Sequence, residues 1–420
     1  MKTLYKTLLL VVMGLLFITI NNVAWSQNNV KYKTISGIVK DENTLKTLSH
    51  VNISAQGSNI GTITNEDGQF SLNINDSIKV THLILSRLGY KNKLLSIENR
   101  TYSAEILLTP DVTELKEILI EAEDPAEIVK QAVAKIADNY SSAPNLLTGF
   151  YRETAQKRNE YITVSEAIIN IYKTPYKEDE TRDKVQVYKG RTLLSPKLSD
   201  TIVVKMQGGP NIAKYLDVTK NKFLLLDAET LHFYKYTLEG TAAIGERPHY
   251  IIDFEPQVSI EYPLYYGKLF IDKETLTFSR AETSLDMDNK EKATNTILVK
   301  RPNKMRFQPV SLTSLVTYKT KDGKSYLNYI RNEIKFKCNW KRFFYIFAPT
   351  YTVTSEVVIT DRAEEHVKPF SYKETFNEKQ TLLDKIENFQ DPLFWEGYNI
   401  IEPTISLENA VDKLKKQNDK

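Results

Sequence analysis

Between residues 33 and 375, one stretch near 124–140 apart, the chain is a succession of short strand-like runs separated by polar turns. In "GTITNEDGQFSLNI", the Asn-Glu-Asp-Gly turn is followed by Phe70, Leu72 and Ile74 alternating with Gln69, Ser71 and Asn73. Side chains alternate across a strand, so such a run buries one face and leaves the other polar. A chain built from many such runs is directed to antiparallel sheet. Its 24 Tyr and 17 Phe, with many Thr, Val and Ile, push the same way.

The N-terminus carries a different signal. Lys2 and Lys6 precede a mostly apolar run from Leu8 to Ile20, followed by "VAWS" with small residues at Ala24 and Ser26. This reads as a cleavable secretory signal over residues 1–26, with the mature chain expected to begin near Gln27. The 13-residue core is short of the roughly 20 residues a membrane-crossing helix needs. Cleavage would leave 54 basic against 53 acidic residues, so charge gives no case for a nucleic-acid partner. No later run is long and apolar enough to predict a transmembrane helix. Cys338 is the one cysteine, so no internal disulfide is expected and a buried, inert thiol is the favoured reading.

Residues 27–110 are expected to form a small all-β module, because short strands recur at sandwich-like spacing. Asp67-Gly68 supplies a turn in which glycine takes positive φ. The stretch has a Gly37–Val39 opening strand, then Gly61, Thr64, Asp67, Gly68 and Phe70 in a G-x-x-T-x-x-D-G-x-F turn, and Ser86, Gly89 and Tyr90 in a late S-x-x-G-Y step. On these residues it resembles the carboxypeptidase regulatory-like domain. The resemblance implies a seven-stranded, transthyretin-like sandwich that accompanies other domains in exported proteins of Bacteroidetes-type bacteria. It does not imply a catalyst.

Residues 111–123 read as a linker. In "DPAEIVKQAVAKIADNY", Asp124 can cap, Pro125 suits the first helical position and Glu127 completes a capping box. Ile128, Val129, Ala132, Val133, Ile136 and Tyr140 make one apolar stripe, which predicts a helix over 124–140. It opens a larger domain over 124–405, expected to be one antiparallel curved sheet or half-barrel. Within it, "TIVVKM" and "FLLLD" are among the expected strands. "GKLFIDKETLTFSRAETSLD" is an expected hairpin, and its strand–D-x-x-T–strand phrase resembles one used by bacterial lipoprotein-carrier half-barrels. The region 146–240 resembles an uncharacterised family of exported proteins. A last helix is expected over 406–420, capped by Ser406.

Motifs for chemistry are missing. None of the five His has Glu or His three or four residues on, and there is no H-E-x-x-H, no G-x-S-x-G, no P-loop and no G-x-G-x-x-G. No catalytic residue, metal ligand or cofactor site is therefore assigned. The acidic run at 177–183 offers oxygens to calcium but lacks EF-hand spacing, and a solvated loop is the favoured reading. The aromatic clusters offer the remaining candidates: Tyr262, Tyr265, Tyr266 and Trp340 as ligand-facing rings. The favoured reading is a non-catalytic envelope protein that binds a protein partner, or a small hydrophobic or glycan ligand, in the periplasm or at the outer membrane. The alternatives are a lipid or lipoprotein carrier using a curved-sheet cavity, recognisable by an apolar cavity of several hundred cubic ångströms, and a hydrolase, recognisable by three converging His, Asp or Glu side chains.

Overall fold

The computed structural model describes residues 31–97, 102–111, 124–200, 204–206, 208–339, 348–377, 380, 382, 386–388, 394–395 and 397–418. The expected signal segment, residues 112–123 of the expected linker, and Trp340 lie outside these residues.

The N-terminal module is a seven-stranded sandwich of the expected class. Its strands are β1 (Tyr32–Asp41), β2 (Asn52–Ala55), β3 (Gly61–Ile63), β4 (Gln69–Asn75), β5 (His82–Ser86), β6 (Lys93–Ser96) and β7 (Tyr102–Leu108). They form two sheets in the orders β4-β1-β7 and β3-β2-β5-β6. The alternating apolar residues, among them Ile35, Val39, Phe70, Leu72, Leu83 and Leu85, fill the space between the sheets.

Two helices follow, α1 (Pro125–Ala134) and α2 (Ile136–Asn139). The single helix expected over 124–140 is interrupted at Lys135, whose N–H donates back to the carbonyls of Gln131 and Ala132. Asp124 caps α1 through the N–H of Ala126. Glu127 turns forward to Lys130 and Gln131 instead of completing a capping box.

The larger domain is an open, curved antiparallel sheet. Its strands are β8 (Asn145–Lys157), β9 (Glu160–Lys173), β10 (Lys184–Leu194), a short β11 (Lys205–Met206), β12 (Tyr234–Ile244), β13 (Arg247–Pro256), β14 (Tyr265–Asp272), β15 (Phe278–Leu285), a short β16 (Leu298–Lys300), β17 (Arg306–Lys321), β18 (Lys324–Asn339), β19 (Thr350–Ala363) and a two-residue β20 (Glu387–Asn388). Ten of them run antiparallel in the order β12-β13-β14-β15-β17-β18-β19-β8-β9-β10, with β20 added in parallel at the β10 edge. β11 and β16 pair apart from it. The D-x-x-T hairpin joins β14 to β15, and Asp272 Oδ1 accepts the N–H groups of Glu274 and Thr275 to shape its turn.

Each face of this sheet has its own cover. The inner face packs against Ile128, Val129, Ala132 and Ile136 of α1 and α2 in the main core. The outer face presents Phe150, Ile168, Tyr329 and Val358, which meet Ile63 of the sandwich and Phe394, Trp395 and Ile401 of the C-terminal segment. The last helix, α5 (Ile405–Asn418), lays Leu407 and Leu414 on Val164 and Leu193. Burying such a leucine is worth about 2 kcal/mol.

Three local expectations fail. "FLLLD" forms a turn around a 3-10 segment at Lys222–Leu224; Leu225 and Leu226 are buried, but Asp227 immediately starts another turn by accepting the N–H of Glu229. A short apolar run carries no period that separates strand from buried turn. Of "TIVVKM", the described residues include only the two-residue β11 as strand. The final helix is capped by Thr404, whose Oγ1 accepts the N–H of Leu407, and not by Ser406. Two helices went unread: the one-turn α3 (Ile212–Tyr215) and α4 (Lys290–Ile297). Only Ala293 and Ile297 of α4 are buried, too few for a stripe, although its cap Asn289 accepts the N–H groups of Glu291 and Lys292.

Candidate functional site

The inner face of the sheet does not fill completely. A cleft of about 1020 Å³ lies between it and the crossing chain at 204–234, closed further by Tyr262–Tyr265, Phe376 and Leu382. Its floor is Ala155, Ile162, Ile334 and Val353, and its roof includes Val204, Leu216, Leu224 and Phe233. Phe223 and Tyr262, both exposed, stand among the lining residues with ring centroids 6.5 Å apart.

The polar residues of the floor fall mostly along one line, with Thr163 one row away beside Ala155. Thr192 on β10 lies opposite Ser165 on β9, Ser165 opposite Glu153 on β8, and Glu153 opposite Ser355 on β19. Ser355 in turn faces Asn332 on β18, Asn332 faces Ser314 on β17, and Ser314 faces Thr283 on β15. Seven consecutive strands therefore each give one polar residue to a belt across the sheet. The rows on either side return to Tyr151 and Ala155, Val353 and Val357, Ile330 and Ile334, and Ala281 and Leu285, all core residues. The belt is partly satisfied from within. Ser165 and Thr192 hydroxyls are 2.8 Å apart, and Ser314 Oγ donates to Asn332 Oδ1 at 2.8 Å.

Glu153 is the one ionisable group of this belt, and it lines the cleft. Its Oε2 accepts from Tyr151 Oη at 2.6 Å and from Ser355 Oγ at 3.4 Å. No described cation pairs with it. Burial raises its pKa above the usual carboxylate range, and the Tyr151 and Ser355 hydroxyls only partly oppose that. The Tyr151 phenol is itself held neutral, raised well above 10 first by burial and then by the charge of Glu153. A lone carboxyl on an apolar floor can bind a hydroxyl, amine or second carboxyl of a ligand.

Of the ring candidates, Tyr262 and Tyr265 line the cleft, while Tyr266 is exposed and takes no part in it. Trp340 is not among the described residues. Cys338 is buried, and burial pushes its thiol up to about 11. Among the described residues, no group of three or more His, Cys, Asp or Glu side chains is placed to hold a metal ion. His249 is occupied at both ring nitrogens, by Arg247 O and Ser279 Oγ.

The acidic run at 177–183 is not simply a solvated loop. Glu178 pairs with Arg182 on the surface, but Asp183 is buried. It accepts the N–H of Thr174 at 2.9 Å and lies 3.5 Å from Lys173 Nζ and 3.8 Å from Lys220 Nζ. Lys173 also meets Asp217 at 2.6 Å, with Tyr176 and Tyr318 donating to the same carboxylate. Pairing of this kind offsets the cost of taking the charges out of water. The network fastens the chain at 217–220, between the lining residues Leu216 and Asn221, to the end of β9. Desolvation lowers Lys220 to about 8, with Asp183 opposing.

The sandwich motif residues are fully engaged inside the molecule. Thr64 Oγ1 accepts from Val51 N and donates to Leu48 O. Gly37 pairs with Phe70 across β1 and β4. Gly61 lies on the seam with the large sheet, where an added Cβ would come 3.3 Å from Lys319 Nζ. Asp67 Oδ2 accepts the N–H of Ile405 at the start of α5. Gly89 donates its N–H to Ala243 O, tying the S-x-x-G-Y loop to the β12–β13 hairpin, and Tyr90 Oη donates to Asp41.

Residues 35–120 match the CarboxypepD_reg-like domain. The sandwich is a domain of that type. No curated protein matches the chain. Among solved structures, the chain is similar to a DUF1329 family protein from Desulfovibrio piger, at 12% identity and a TM-score of 0.25 over 59% of this chain and 95% of that one. It is also similar to a LolA superfamily protein from Nitrosomonas europaea, at 11% identity and a TM-score of 0.23 over 59% and 96% of the two chains.

Proposed function

We propose that this is a non-catalytic binding protein of the cell envelope, which holds a long-chain amphipathic molecule in the cleft of the large sheet. The observation that carries this reading is the belt: Ser165, Glu153, Ser355 and Asn332, aligned on neighbouring strands, line a cleft of about 1020 Å³ between largely apolar stretches of floor and roof. The volume is at the upper end of small-molecule sites, which run to about 1,000 Å³. The apolar floor and roof suit the chain of such a ligand, and the belt suits one polar group on it. This is the feature that separates a carrier from a purely structural appendage. The hydrolase reading asked for three converging acids or histidines. The described lining holds two carboxylates, Glu153 and Asp200, and Asp200 is paired with Lys157. The N-terminal pattern Lys2–Ser26 supports placement outside the cytoplasm.

Native mass spectrometry of the mature protein, purified gently from its own periplasm, tests the reading together with displacement of a fluorescent fatty acid. A co-purifying lipid-sized mass that is lost on denaturation, and saturable probe binding weakened by Ala155→Trp in the floor, are the expected results. A clean apo mass with no probe binding would overturn it.

A further inference from the structure

A second cavity, of about 780 Å³, lies on the other side of the sheet, between its outer face and the sandwich. Its chemistry is opposite to that of the first. Arg87 comes from the sandwich, and Arg247, Arg280, Lys319 and Lys321 come from the sheet; the carboxylates in its lining are Asp272 and Asp322. Neutral donors stand between them, including Ser54, Ser86 and Asn328.

Most of these cations are engaged. Arg247 pairs with Asp272 at 3.4 Å, Arg280 with Glu282 at 2.6 Å, and Lys321 donates to Asn59 Oδ1 at 2.9 Å. Lys319 is different. Among the described residues it makes no hydrogen bond and no ion pair, and its nearest ring contact is Tyr326, 5.9 Å away. Desolvation lowers it to about 8, and Lys321 and Arg362 add repulsion that Asp361 only partly offsets. Arg87 sits 5.2 Å over the Tyr90 ring and hydrogen-bonds to Tyr90, with Asp41 behind it, and makes no direct ion pair among the described residues. An ammonium kept half-desolvated without a counter-charge is costly. A cavity that sets this uncompensated ammonium from the sheet beside the Arg87 guanidinium from the sandwich is built to receive a negative charge.

We infer that the cavity between the sandwich and the sheet is a binding site for a small soluble polyanion, a phosphorylated or polycarboxylate molecule, held by Lys319 and Arg87. Because one cation comes from each domain, the anion would also brace the sandwich against the sheet. The site is separate from the cleft around Glu153, on the opposite face.

The test is calorimetric titration of the full chain with inorganic phosphate, pyrophosphate and citrate, each at constant ionic strength, alongside thermal melts. The expected result is saturable binding of at least one probe. Lys319→Met should weaken it tenfold or more and Arg87→Gln several-fold, while the exposed control Lys235→Met leaves it unchanged. Lys319→Met should also raise the melting temperature of the anion-free protein, since it removes an uncompensated cation, while abolishing the rise caused by the anion. No binding of any probe would overturn the proposal. So would equal loss in the Lys235 control, or a fall of several degrees in the anion-free melt of Lys319→Met, which would make the lysine structural. Flotation with phosphatidylglycerol vesicles that needs Lys319, without binding of the soluble probes, would overturn it in favour of a membrane surface.

Discussion

Arg152 and Glu166 lie directly opposite each other on β8 and β9, with Nε 2.8 Å from Oε1, and both are buried beneath the C-terminal segment. Glu166 also takes two bonds from Arg191, at 3.0 and 2.9 Å, and one from the Trp395 indole at 3.3 Å. Arg152 reaches the other way, donating to Ile401 O at 2.7 Å. The pair thus joins the sheet to the strap that the sandwich covers. Removing one partner of a buried pair leaves an uncompensated charge, so Glu166→Gln should cost about 3–5 kcal/mol at neutral pH. Burial alone would raise the Glu166 pKa, but Arg152 and Arg191 outweigh it and hold it below the usual value. Its contribution is therefore present above the unfolded carboxylate range and lost as pH falls through the folded value. Urea melts of wild type and Glu166→Gln should converge as pH falls through the lowered folded value of Glu166; a gap that stays constant with pH would count against this role.

Glu153 on the inner face should behave with the opposite sign. Its pKa is raised by burial, so ionisation costs stability, and the cost grows as pH climbs above the unfolded carboxylate value. Glu153→Gln should match wild type near pH 4 and melt higher than wild type at pH 8. A variant that is less stable at both would place the carboxylate in a supporting network, not on a cleft floor awaiting a ligand.

The sandwich was legible because its information is local: the turn at Asp67-Gly68 and the alternation after it lie within one hairpin. The sheet was legible as a class for the same reason. The belt was not, because each strand gives it a single residue, and Ser165 or Ser355 is unremarkable until pairing aligns it with Glu153. Asp183 was misread for a related reason: its partners Lys173 and Lys220 come from both sides in sequence, and meet only where β9 ends. α4 was missed because burial of two residues leaves no period to detect.

The contact between Asp67 and α5 gives a third prediction. Asp67 Oδ2 accepts the first N–H of that helix, at Ile405, from 338 residues away, and Thr404 takes the N–H of Leu407. A carboxylate at a helix N-terminus satisfies an open donor and meets the positive end of the dipole. Asp67→Ala should cost about 1 kcal/mol, with amide exchange rising first at 405–408. Unchanged exchange there would show that Leu407 and Leu414 hold the helix unaided.

Gly68 and Gly89 share nearly the same backbone, with φ of +75° and +77°, but not the same surroundings. A Cβ on Gly68 would lie 2.7 Å from Val39 O and 3.0 Å from Thr47 Cβ, whereas one on Gly89 would meet nothing within 4 Å. Positive φ by itself costs a non-glycine residue of order 1–3 kcal/mol. Gly89→Ala should pay that alone. Gly68→Ala should pay it and also push apart the β1 edge and the β4 turn, because the obstructing oxygen belongs to backbone that cannot swing aside. The two variants compared in one denaturant series separate the terms: the difference between them measures the close approach, and equal losses would mean that φ alone makes glycine necessary in the G-x-x-T-x-x-D-G-x-F turn.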